Sequence, residues 1–177
     1  FLETVRRSGI LTPRYFFVEA VINGNDIGLM ALEEHFSKEL LEHNGRREGV
    51  IVKFDESLFW ENNQGPVFHN YRNVPIKGFR TARIKRSEKL SEDYATAVGL
   101  LRSFINNQLP ASEVFDAEKM GSFLATAELF GASHAMKFNN LRLYFNPISL
   151  KLEPISFDSP CMLASFVKSL PEILQLL

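Results

Sequence analysis

The spacing of hydrophobic and polar positions changes several times along the chain, and each change marks an element. Residues 1–8 read as the end of a helix, broken by Gly9 and Pro13. Residues 15–22 are rich in β-formers and predict a strand. Asn23, Gly24, Asn25 and Asp26 form a strong turn signal, and 27–32 return as the second strand of a hairpin. Over 33–43 the period becomes helical: Phe36, Leu40 and Leu41 share one face, and Lys38, Glu39 and Glu42 take the other. Asn44 and Gly45 end that helix. Residues 49–54 predict a short apolar strand carrying Lys53. A polar loop over 55–65 and strands over 67–71 and 76–84 follow.

The second half is helical in pattern. Ser91 is placed to cap a helix that runs to about Asn107, with Glu92 and Asp93 in its first turn. Asp116 caps a second helix over 117–130, whose apolar positions include Met120, Phe123, Leu124 and Ala127. A polar loop then carries His134, Asn139 and Asn140. Apolar strands over 141–145 and 151–157 are joined at Asn146 and Pro147, and Asp158 follows. A final apolar helix spans 161–177, interrupted near Pro171.

Strands dominate to about residue 88 and helices from 89 to 177. This order predicts an α+β protein of two lobes with a ligand-binding crevice between them.

The last hairpin is the stretch with most chemistry in it. Antiparallel strands return the chain to its starting edge, so Asp158 comes back toward the loop holding His134 and Asn139. An amide oxygen and a carboxylate set side by side suit Mg²⁺, which keeps several waters and takes few protein ligands when phosphates complete its shell. Asn139 and Asn140 also have a plainer role as turn residues, and Asp158 as a helix cap. Lys53 sits among apolar neighbours and must reach a partner or extend to solvent.

Composition narrows the partners. The chain has 177 residues with a net charge of −1, so no global basic field points to nucleic acid or a membrane surface. A local basic run, Arg80, Arg83, Lys85 and Arg86, is either a solvated strand and loop or an acid- or phosphate-binding patch. The single cysteine, Cys161, has no internal disulfide partner. His35, His43 and His69 lack zinc spacing, and no stretch approaches the ~18 apolar residues of a membrane span. The chain opens on Phe1 and reads as a piece of a longer protein. Gly24 and Gly28 flank a hairpin that can cover phosphates or be a plain tight turn.

Four segments together resemble the CotH kinase family. Residues 15–34 are similar to its "strand, Asn-Gly, Gly, strand, Glu" segment, and 49–55 to its lysine strand. Residues 115–131 are similar to the helix before its catalytic loop. Residues 139–147 with 152–158 resemble its "Asn, x, Tyr, Asp-Pro … Pro, x, x, Asp" hairpin. The resemblance spans roughly Pro13 to Asp158.

It implies an atypical protein-kinase-like fold, with a strand-rich part over 1–88 and a helical part over 89–177 in one domain overall. It implies binding of ATP with Mg²⁺ (or Mn²⁺) and phosphoryl transfer to a protein hydroxyl. The family includes bacterial spore-coat kinases, so a bacterial cell surface or secreted location is in keeping with it. By the same resemblance, Lys53 meets the nucleotide phosphates, Glu34 orients Lys53, and Asn139 and Asp158 hold the metal. His134 stands where kinase-like loops place the catalytic Asp. That departure leaves a second expectation: a catalytically degenerate, kinase-like binding or coat-assembly module.

Overall fold

A four-stranded antiparallel sheet, built from strands that come from both ends of the sequence, organises the chain. The computed structural model describes residues 1–57 and 73–159. Strands β3 (Ile51–Phe54) and β4 (Ile76–Gly78) pair with β5 (Arg142–Asn146) and β6 (Lys151–Ile155) in the order β4-β3-β5-β6. The expected strands at 67–71, the helix at 161–177 and Cys161 lie outside the described residues.

Alternation along β3 and β5 sorts side chains between two faces. Val50, Val52, Phe54, Leu143 and Phe145 point to a large core shared with α4 (Glu88–Ile105) and α6 (Ala117–Leu129), where Leu101, Phe104 and Phe123 are buried. Ile51, Tyr144 and Ile155 point to a smaller cluster with Leu11, Phe36, Leu40 and Leu41. The last two come from α2 (Lys38–His43). The large core therefore draws on residues from both sides of position 88.

A separate two-stranded ribbon, β1 (Tyr15–Ile22) with β2 (Asn25–Glu33), forms the first hairpin. Asn23 and Gly24 both take positive φ (53° and 82°), the type I′ geometry that matches strand twist. The register shifts after Ala20, and Gly28 at φ 79° occupies that irregularity, its N–H donating to Asp26 Oδ1.

Three boundaries differ from the sequence expectation. Strand β2 continues to Glu33, because Glu33 pairs with Tyr15, and α2 starts only at Lys38 after Ser37. Residues 76–84 do not form one strand: β4 stops at Gly78, and a short helix, α3 (Thr81–Arg86), follows Arg80. The helix turns Ile84 back onto Gly78 and Tyr94, where a continued strand would carry it away. The long helix α4 starts at Glu88, not Ser91. Ser87 accepts from the Leu90 N–H, while Ser91 Oγ donates to the Ile84 carbonyl and ties α3 to α4. Two serines satisfied the capping pattern, and the one preceding the first buried apolar residue, Leu90, took the role. Asp116 caps α6 as expected, accepting from the Lys119 N–H. A four-residue helix, α5 (Ala111–Val114), precedes it.

The pairing registers align three cations across one sheet face: Lys77 opposite Lys53, and Lys53 opposite Arg142. Like charges directly opposite are destabilising unless answered. Lys77 is answered by Asp55, at 2.7 Å. Burial pushes the Asp55 carboxyl up, but the Lys77 ion pair and two bonds from Ser57 outweigh it and hold the group at about 2.

Two predictions follow from this packing. A Cβ on Gly49 would lie 2.6 Å from the Phe145 carbonyl oxygen and 2.9 Å from the Tyr144 ring. Backbone cannot yield as a side chain does, so Gly49→Ala should lower unfolding free energy by about 1–3 kcal/mol in urea titration. Because the folded-state pKa of Asp55 is depressed, its contribution is present above about pH 4 and is lost as pH falls toward 2. Asp55→Asn should therefore lower stability at neutral pH and flatten the loss between pH 4 and 2. An unchanged acid limb in pH-dependent thermal melts would contradict this.

Candidate functional site

The cation row leads into a polar cluster at the ends of β3, β5 and β6. Lys53 is largely covered, its Nζ 2.7 Å from Glu56 Oε1 and 5.7 Å from the centre of the Phe79 ring. Arg142, next in the row, is buried at 4% exposure. Its guanidinium lies 4.8 Å from the ring centre of Phe157 and 5.7 and 5.8 Å from those of Phe79 and Phe36. One amino group donates to the Asn139 carbonyl at 2.6 Å, and the other faces Glu56 at 3.9 Å. Its Nε is buried and meets no acceptor among the described residues. Burial pulls the Arg142 pKa down, and the charges of Glu56 and Asp158 push it back up.

Arg142 is the residue that reasoning from sequence missed. It stacks on Phe157, the residue before Asp158, and bonds the backbone of Asn139. One buried guanidinium thus ties the loop of Asn139 to the strand end that carries Asp158. A signal was available: a fixed cation within the apolar stretch 141–145, where a charge must be paired.

The hairpin returns Asp158 to the loop as expected. His134 sits on a 3₁₀ turn, Ser133–Met136, and its Nε2 is 3.1 Å from Asp158 Oδ2. Both side chains are partly open to solvent. Asp158 takes φ 44°, a left-handed backbone that Asp tolerates better than most residues. The two asparagines divide their roles. Asn140 is buried, and its amide donates to the His134 carbonyl, closing the loop. Asn139 is half-buried and offers its backbone carbonyl to Arg142.

Glu34 is engaged elsewhere than expected. The β1–β2 register continues outward to place Arg14 opposite Glu34. The Arg14 backbone N–H and Nε each donate to its carboxylate at 3.1 Å. Burial raises the Glu34 pKa, but the Arg14 bonds outweigh it and hold the carboxyl below its usual range. The Glu34–Lys53 pair implied by the resemblance is not formed. Glu34 clamps the base of the first hairpin, and Lys53 takes Glu56, three residues on along its own chain.

The neighbouring glutamate lies nearer the cluster. Glu33, Pro13 and Tyr15 line a cleft of about 370 Å³ with Phe157 and Asp158. Burial raises the Glu33 pKa, and the negative charge of Asp158 raises it further. Glu33 and Asp158 give the cleft two carboxylates, hard oxygen donors of the kind a divalent cation takes, and Asn139 is not among the cleft's lining residues. Among the described residues, no group of three His, Cys, Asp or Glu forms a metal cage.

No curated protein matches the chain significantly. Comparison with family models gives a different result. The lysine strand, the second hairpin and the His134–Asp158 pair all fall within residues 1–169, which match the model described as CotH kinase protein. With that match covering nearly the whole chain, the protein belongs to the CotH kinase family.

Proposed function

We propose that this chain is an ATP- and Mg²⁺-dependent phosphotransferase of the kinase-like type, acting on protein hydroxyls. The observation that carries the reading is the cation row Lys77–Lys53–Arg142, which ends beside the His134–Asp158 pair. Phosphoryl transfer asks little covalent chemistry of a protein. It asks for fixed positive charge against the phosphates and for a positioned acceptor. Lys53, in the middle of the row and partly open to solvent, binds the phosphates. Arg142 behind it strengthens the local field and holds Asn139 and Asp158 in place.

The carboxylates of the cleft, Glu33 and Asp158, are hard oxygen donors and fit a hard cation. Asp158 and Asn139 are the residues that would hold Mg²⁺ (or Mn²⁺), with Glu33 adjacent. The ion would neutralise phosphate charge when bound. His134 presents Nε2 to Asp158, which orients the imidazole and leaves Nδ1 to accept the hydroxyl proton of the acceptor.

One observation favours a second reading, a kinase-like binding module without transfer activity. His134 occupies the position of the expected carboxylate and already engages Asp158. A base that shares the metal ligand competes with the metal for it.

ATP with Mg²⁺ should raise the thermal midpoint, corresponding to about 2.7 kcal/mol at 100 times Kd. Lys53→Ala and Asp158→Ala should each cut nucleotide affinity at least about tenfold, which is about 1.4 kcal/mol. Absence of any shift at millimolar nucleotide would refute nucleotide binding. For transfer, His134→Ala should keep the thermal shift and abolish labelling of a protein acceptor. No labelling by the natural chain, together with labelling by His134→Asp, would establish the binding module instead. Arg142→Lys keeps a charge but loses the planar stack on Phe157 and the fork to Asn139. It should weaken the Mg²⁺ dependence of the shift more than nucleotide binding without metal.

A further inference from the structure

The basic run that the sequence left open is not a strand. It is a ladder of cations at three-residue spacing: Arg80, Arg83, Arg86 and Lys89. Helix α3 and the first turn of α4 bring the four onto one groove, and Arg47 joins them from the segment before β3. The groove encloses about 730 Å³. A single carboxylate, Glu48, lines it, and that carboxylate is bonded to Arg83 at 2.6 Å. Arg47 and Arg86 form no ion pair among the described residues, Arg80 has only a 3.9 Å approach to Glu39, and Lys89 is paired with Asp93 at 2.7 Å. All five cations are exposed.

Two features show that ordinary helix electrostatics do not account for this cluster. Cations in the last turn of a helix are favoured by its dipole, which covers Arg83 and Arg86 in α3. Arg80 and Lys89 stand at the opposite, positive ends, at the N-cap of α3 and in the first turn of α4. Arg80 also holds a left-handed backbone, φ 55° and ψ 47°, which is unfavourable for a bulky residue. Like charges three apart on a helix repel. The chain as a whole carries −1, so gathering five cations here leaves an acid excess elsewhere. An anionic occupant offsets these costs.

We infer that this groove docks an acidic polypeptide segment of a partner protein, its Asp and Glu carboxylates held by the arginine forks. Guanidinium groups match carboxylates in bidentate geometry, and several presented in sequence match a run of them. Nucleic acid fits less well, because the lining of this groove offers no aromatic ring for base stacking. A second, narrower groove shares Glu48, Arg80 and Arg83 and runs to Phe36 and Phe79, rings that wall Arg142. The two grooves adjoin, so a bound segment can extend toward the rings of Phe36 and Phe79.

The test uses the full chain and fluorescein-labelled twelve-residue peptides in anisotropy titrations. An oligo-Glu/Ser peptide should bind, and its Kd should rise at least tenfold between 50 and 300 mM NaCl, since the contacts are exposed charges. The double variant Arg80→Glu/Arg86→Glu should weaken binding at least tenfold and leave the melting temperature and any nucleotide-dependent shift unchanged. Single Arg86→Glu and Arg47→Glu variants, each an exposed side chain with no ion pair among the described residues, should weaken it severalfold and serve if the double variant does not fold. Equal binding of the acidic peptide by natural chain and single variants overturns the inference. So does equal binding of an oligo-Lys/Ser peptide, or tighter binding of a single-stranded oligonucleotide. Peptide binding that depends on Arg86 in a chain showing no nucleotide shift upholds the groove and rejects the phosphotransferase reading, so the two fail separately.

Discussion

Three cations placed side by side across a sheet are the constraint from which the rest of the structure can be understood. Lys77, Lys53 and Arg142 are direct cross-strand neighbours, and in a folded chain such a row must be matched by negative charge or by π-faces. The chain does both. Asp55 and Glu56, from the segment just past β3, take Lys77 and Lys53. Three phenylalanines from three separate segments enclose Arg142. Each of these partners is drawn to the same end of the sheet by the charges it answers, and that end is where Asp158 and His134 meet.

This arrangement gives the site an asymmetric character. On one side stands fixed positive charge, partly desolvated, which strengthens its interaction with an anion. On the other stand Glu33 and Asp158 along one cleft, where burial and then the charge of Asp158 raise the Glu33 pKa. A nucleotide triphosphate with a divalent ion has the complementary pattern, anionic oxygens toward the lysine and a cation toward the carboxylates. His134, the proposed base, is held by the same aspartate that lines the cleft and is the part of the site furthest from a kinase-like pattern.

How legible this was in the sequence depended on whether the signal was local. The Asn23-Gly24 turn was readable because type I′ geometry demands positive φ at both positions and few residue pairs supply it. The Asp116 cap was readable because it stands alone before an apolar-periodic run. The start of α4 was not, since Ser87 and Ser91 satisfy the same local rule and burial of Leu90 chose between them. The stretch 76–84 looked extended from its residue types. Contact between Ile84 and Gly78, set by packing, turned half of it into a helix. Asn139 and Asn140 looked interchangeable, and only the closing of the loop on the His134 carbonyl separated them.

By itself the sequence determined the hairpins, the lysine strand and the return of Asp158 toward His134. Each follows from strand period, turn chemistry and the antiparallel return of a short connection. It could not determine partners that come from remote segments. Whether Lys53 meets Glu34 or Glu56, and whether Arg142 is a surface charge or a buried hub, depends on register and on which rings converge. These are properties of several segments at once. Tertiary structure decided that Glu34 belongs to Arg14, because the β1–β2 register sets them opposite each other. It also decided that Arg142 binds loop and strand end together, because only the folded sheet places Phe36, Phe79 and Phe157 around one guanidinium.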